Sequence, residues 1–168
     1  MNRVVIYSFA ISTLCSIFLS ALFPHIKPIF YAPLLVISFF NTSFITSLWL
    51  SFFGGLIVDL LSSTHMGMHA LIYALCVAIF YRQKKYFKNT LINIVLFTIL
   101  ISFAYTLINS LLLFVFDKGI NISFIWFITD FIGLPLLDGI YAILLFALPL
   151  KVNELLKNKK LFAVLKRK

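Results

Sequence analysis

Between Lys88 and Asp117 the chain carries no charged residue. A stretch of that length cannot be hidden as one helix inside a domain this small, but as a helix it exceeds the roughly 20 residues needed to cross about 30 Å of hydrocarbon. The same pattern recurs along the chain. Val4 to Phe23, Pro28 to Leu61, Met66 to Tyr81 and Ile122 to Leu150 are apolar runs separated by short polar segments. With 62% apolar residues, 11% charged residues and a mean hydropathy of +1.09 over 168 residues, too few polar side chains remain to coat a water-soluble globule. The chain reads as an all-α integral membrane protein, a compact bundle of about six transmembrane helices over residues 1–150 with a basic tail over 151–168. Arg3 followed by an apolar stretch imitates a secretory signal, yet no small-residue cleavage site follows and further hydrophobic segments do, so residues 4–23 are expected to be the first span.

Two runs need interpretation. Residues 28–61 are too long for one comfortable span, and Asn41, Thr42 and Ser43 interrupt them near the middle. A hairpin is expected, its first helix short and started by Pro28 or Pro33; a single tilted helix is the alternative and would reverse the N-terminus. The run 122–150 contains Gly133 and Pro135, which predicts a lead-in along the interface and a crossing that begins near Leu134.

Net charge is +9, and the basic residues cluster between or after the apolar runs. They therefore mark topology and lipid headgroups, with no nucleic acid implied. Arg82, Lys84, Lys85 and Lys88 fill one short loop, and Lys151, Lys157, Lys159, Lys160, Lys166, Arg167 and Lys168 crowd the tail. Both segments belong in the cytoplasm by the positive-inside rule, and counting spans back from them places the N-terminus there as well. Lys27 and Lys118 fall outside in this scheme, the latter beside Asp117. The tail is expected to lie on the inner membrane surface, because Val152, Leu155, Leu156, Phe162 and Leu165 share a face among lysines.

Few residues offer chemistry. Cys15 and Cys76 lie inside apolar runs and read as small buried hydrophobes. Asp59, after Gly54 and Gly55, is either a polar anchor inside the bundle or at a partner interface, or a carboxylate that reaches interfacial water or caps the next helix through hydrogen bonds with the turn Ser62 to Thr64. Asparagine at position 59 is expected to keep much of the hydrogen bonding of the carboxylate. His65 and His69 stand four apart near Asp59, which permits a zinc site but fits two interfacial histidines better, since no further ligand follows. Asp130 and Asp138 flank Gly133 and Pro135. Asp138 is an intramembrane polar site without an evident partner, and an ion pathway is one use for such a pair. No catalytic triad, phosphate loop or dinucleotide fingerprint is present, so no catalytic residue, cofactor or metal is expected and the chain is not read as an enzyme.

The segment Gly55-Leu56-Ile57-Val58-Asp59, then a short polar turn and Met66-Gly67-Met68-His69-Ala70-Leu71, resembles the central signature of the MreD family of bacterial rod shape-determining proteins. The likeness of sequence covers residues 55–71; size, short loops and the basic tail agree in layout. Met66 departs from the commoner Leu, and Asp138 has no counterpart role. The resemblance implies a non-enzymatic inner-membrane scaffold of the peptidoglycan elongation complex (the elongasome). Such a scaffold binds the bitopic protein MreC and acts indirectly with MreB, RodA and a penicillin-binding transpeptidase. It also implies a fold similar to the substrate-binding subunits of energy-coupling-factor transporters. Gly54, Gly55, Asp59, Gly67, Ala70 and Leu71 become the structural or partner-binding motif. A small-molecule transport subunit of the vitamin-binding type is the alternative.

The topology makes a direct prediction. Single cysteines at positions 85 and 160 in a Cys-free background should react with an impermeant thiol reagent only after the membrane is opened; labelling in intact spheroplasts would invert the orientation.

Overall fold

A computed structural model describes residues 3–22, 28–62, 66–86, 90–117 and 124–152. The described residues form six helices and no strand: α1 (Arg3–Leu22), α2 (Ala32–Asn41), α3 (Phe44–Leu61), α4 (Met68–Phe80), α5 (Leu91–Asp117) and α6, continuous over 124–152. A tight 3-10 segment, Tyr81–Tyr86, prolongs α4. Four of the helices, α1, α3, α5 and α6, are long and apolar enough to cross a membrane. α2 is short, as expected, whereas α4 as an α-helix is shorter than the span expected over Met66 to Tyr81. α4 has 13 residues, about 20 Å, and its 3-10 extension adds about 12 Å. α2 has only 10 residues, about 15 Å, half the hydrocarbon thickness. The tail beyond residue 152 lies outside the described residues.

The run 28–61 divides at Asn41 to Ser43, and the local chemistry shows why. The Asn41 side-chain amide donates to Ile37 O (2.8 Å) and the Thr42 hydroxyl to Ser38 O (2.8 Å), so the last carbonyls of α2 are satisfied where the helix stops. Ser43 is extended, and its hydroxyl accepts from Thr46 N–H (3.4 Å) as the N-cap of α3. Pro33 occupies the first turn of α2, where its missing N–H costs nothing.

The expected break at Gly133 and Pro135 is absent. The helix passes through both residues because it widens into a π-helical segment over Phe127–Gly133, and the Leu134 N–H donates to Thr129 O, five residues back. That displaced ladder absorbs the N–H missing at Pro135, so the helix runs without a break over 124–152. A second π segment, Ile143–Ala147, follows the α-helical stretch Leu134–Ala142.

Two of the outer helices, α1 and α3, turn small and polar residues inward and bulky apolar residues outward. Buried positions on α1 are Val5, Ser8, Ser12 and Ser16; on α3 they are Ser47, Ser51, Gly54, Gly55 and Asp59. Phe18, Trp49, Phe53, Leu111 and Phe114 are exposed. Lipid removes the hydrophobic drive that sorts a soluble core, so close approach of small residues and hydroxyls bonded back to their own helix replace it. Ser8 to Val4 O (2.8 Å) and Ser51 to Leu48 O (2.7 Å) are examples.

At the centre lies α2, in which every residue from Ala32 to Phe39 is buried. Its lead-in residue Tyr31 reaches the middle of α1, where its hydroxyl meets Thr13 Oγ1 at 3.0 Å, and its ring covers Gly54, whose absent Cβ would lie 2.8 Å from Cδ1. At the other end, Lys84 Nζ donates to Phe39 O (3.0 Å) and to the Tyr81 hydroxyl (2.6 Å), which itself donates to Thr42 O (3.0 Å). A cation at the C-terminal end of a buried helix also complements the helix dipole.

Because Tyr81 and Lys84 share this hydrogen-bonded cap, their contributions should not add. Lys84→Met and Tyr81→Phe are each expected to lower stability in detergent by about 1 kcal/mol, and a double-mutant cycle should return a coupling of about 0.5 kcal/mol or more. Strict additivity would mean that the cap is not a unit.

Candidate functional site

Of the three carboxylates singled out in the sequence, Asp59 and Asp138 are buried; Asp59 receives the start of α4 and Asp138 the lead-in to α2. A helix leaves its first N–H groups without intrahelical partners. α4 begins at Gly67, which adopts a left-handed conformation (φ 92°) and has no side chain with which to cap itself. Asp59, near the end of α3, supplies the cap instead. Its Oδ2 accepts from Gly67 N–H (2.9 Å) and Ala70 N–H (3.3 Å), and its Oδ1 accepts from His69 N–H (3.0 Å). The His69 ring Nδ1 also lies 2.8 Å from Oδ1, a position in which the neutral ring donates a fourth bond. Negative charge at a helix N-terminus is favoured by the dipole as well.

Four residues before Asp59, on the same face, Gly55 touches the backbone of α4. A Cβ there would collide with Ala70 and would sit 2.7 Å from the His69 carbonyl carbon. α3 and α4 make the most extensive helix contact in the bundle. Gly55, Asp59, Gly67 and Ala70 therefore meet at one junction, while Gly54 turns to Tyr31 and Leu71, 48% exposed, points away from the bundle. The turn residues Ser63 and Thr64, considered in the sequence as donors to Asp59, lie outside the described residues, as does His65. Among the described residues no group of three or more His, Cys, Asp or Glu side chains converges; of the zinc arrangement, Asp59 and His69 are the two described members, and they meet at 2.8 Å.

Asp138 lies in the middle of α6 with no exposed surface. Its Oδ1 accepts from Ile29 N–H (2.9 Å) and its Oδ2 from the Ser102 hydroxyl of α5 (2.5 Å). One turn on, the Tyr141 hydroxyl donates to Phe30 O (3.3 Å). The acid without an evident partner is thus the anchor for the non-helical lead-in to α2, which sits deep in the bundle. Irregular backbone at that depth persists only when protein satisfies its polar groups. The neighbouring Gly139 admits α5, since a Cβ would lie 2.9 Å from the Ile99 side chain. Asp130 is not part of this site: it stands about 12 Å away along the helix, partly exposed, and accepts from Thr129 (2.8 Å).

A file of rings connects the two junctions: His69 to Tyr105 (6.0 Å between centroids), Tyr105 to Tyr73 (5.6 Å) and Tyr73 to Tyr31 (6.2 Å). Reading the sequence did not single out Tyr31, Ser102 or these rings. A signal for the inward face was present in the spacing of four that joins Ser47, Ser51, Gly55 and Asp59.

The geometry revises what asparagine can do at position 59. With its carbonyl oxygen towards Gly67 and Ala70, the amide NH2 would face the His69 N–H, donor against donor; only the ring could adapt, by exchanging its tautomer. Asp59→Asn should therefore leave one backbone N–H unpaired and lie between the native protein and Asp59→Ala, which should lose about 1–3 kcal/mol in detergent unfolding. Gly55→Ala should cost a similar amount by forcing the helices apart, and a native unfolding midpoint for Gly55→Ala would refute the close approach. Comparison of the chain with protein-family models, with curated proteins and with solved structures finds no match, so the functional reading rests on this geometry and on the resemblance of residues 55–71.

Proposed function

We propose that the chain is a non-enzymatic, MreD-like scaffold of a bacterial cell-wall elongation complex. In this reading it spans the inner membrane with both termini in the cytoplasm and binds an MreC-like bitopic protein, through which MreB, RodA and the transpeptidase are engaged indirectly. The observation that carries the proposal is the junction of α3 and α4. Each inward position of the family-like segment has a geometric reason for its residue type: no room for a Cβ at Gly55, a four-bond cap at Asp59, a left-handed turn at Gly67 and backbone contact at Ala70. The polar atoms of Asp59 are engaged in holding two helices, as a scaffold requires, and Leu71 is left facing outward for a partner.

The transport alternative calls for a polar pocket. A groove of about 360 Å3 between α1 and α6 is instead lined by apolar residues, among them Leu19, Pro28, Phe30, Leu137 and Leu144, with the Tyr141 hydroxyl already engaged on Phe30 O. A ligand site of this size also needs a few free polar groups to orient its ligand, and this groove offers little beyond the engaged Tyr141 hydroxyl, which favours the scaffold reading.

Affinity purification in mild detergent from the native host should recover an MreC-like protein with the wild-type chain, less with Asp59→Asn and least with Asp59→Ala, at matched expression. Full recovery with Asp59→Ala would overturn the role of the junction, and failure to recover such a protein with the wild type would overturn the proposed function.

A further inference from the structure

The segment Tyr81–Tyr86 is a 3-10 helix, in which residues three apart eclipse one another. Its six residues are therefore sorted onto three edges. Tyr81 and Lys84 share the inner edge and are fastened to the end of α2 through Thr42 O and Phe39 O. Arg82 and Lys85 share a second edge, and both are exposed. Gln83 and Tyr86 form the third; Tyr86 is 74% exposed, with the Lys85 ammonium 4.8 Å from its ring centroid.

Two cations stacked on one edge repel each other, and among the described residues no Asp or Glu forms an ion pair with either. The inner latch holds the segment against α2, so both cations are kept on the same outward edge. The segment continues α4 past its last apolar turn with two exposed cations and an exposed tyrosine, the residue types that sit among lipid headgroups at a membrane surface.

We propose that Arg82 and Lys85 form a binding site for the phosphate of an anionic phospholipid, with Tyr86 beside the headgroup. The guanidinium offers a planar fork to two phosphate oxygens and the ammonium adds a point charge from the next turn. Charge complementarity selects an anionic lipid over a zwitterionic one, whose own cation would be brought against the pair. This inference does not depend on the partner proposed above.

The test uses the full chain in detergent micelles, titrated with short-chain phosphatidylglycerol, with short-chain phosphatidylcholine or with inorganic phosphate, and read by native mass spectrometry. Phosphatidylglycerol should be retained about tenfold or more over phosphatidylcholine, and inorganic phosphate at the same concentration should not displace it. Arg82→Gln with Lys85→Gln should abolish the preference, whereas Arg3→Gln with Lys151→Gln, an equal loss of charge, should keep it. Exchanging the cations, Arg82→Lys with Lys85→Arg, should largely restore it. Circular dichroism checks the fold, and if the double Gln variant is unfolded, Arg82→Ala and Lys85→Ala singly should each weaken retention. Equal loss in both double Gln variants, an unchanged preference in Arg82→Gln with Lys85→Gln or in both single variants, or displacement by inorganic phosphate would each overturn the proposal.

Discussion

Everything in this bundle is arranged around a helix too short for its surroundings. α2 covers about half the hydrocarbon thickness and is buried along nearly its whole length, so the backbone groups at its ends cannot reach water and must find partners in protein. The N-terminal side is met by Asp138 and Tyr141 from α6 and by Tyr31 reaching to Thr13 of α1; the C-terminal side is met by Tyr81 and Lys84. An acid stands at one end and a base at the other, each on the side that the helix dipole favours. Moving any of the surrounding helices would uncover one of these ends, which gives α2 a hold on the whole arrangement out of proportion to its size.

The α3 and α4 junction solves the same problem with different means. There the short helix starts at a glycine that cannot cap itself, and a carboxylate from the preceding helix does so through three backbone N–H groups and an imidazole. Close packing at Gly55 brings the carboxylate near enough to reach them. Asp59 thus caps α4 and Asp138 anchors the non-helical lead-in to α2, so each buried carboxylate has backbone N–H donors to satisfy it.

Much of the architecture was legible because membrane helices are announced by length. The four long apolar helices, the division at Asn41 to Ser43 and the short first helix of the hairpin follow from apolar run lengths and from the capping habits of Asn, Thr and Ser. What was not legible depends on tertiary geometry. Gly133 and Pro135 read as a break because the sequence does not reveal that a π segment will shift the hydrogen-bond ladder around the proline. Asp138 looked unpartnered because its donors come from Ile29 and Ser102, one a backbone group with no signature of its own and the other one serine among many. Asp59 was recognised as the informative acid, but the donors seen on it come from Gly67, His69 and Ala70, beyond the turn considered first.

The bond between Ile29 and Asp138 joins positions 109 residues apart. At translation rates of roughly 5–20 residues per second, the ribosome needs on the order of ten seconds to deliver the acceptor after the donor has emerged. Throughout that interval the lead-in to α2 has an amide with no mate at bilayer depth. The nascent hairpin must therefore wait near the interface, or in the shelter of the insertion machinery, until the last helix arrives. Burial of the lead-in to α2 thus depends on α6, and a chain lacking α6 would leave the Ile29 N–H without this acceptor long after its synthesis.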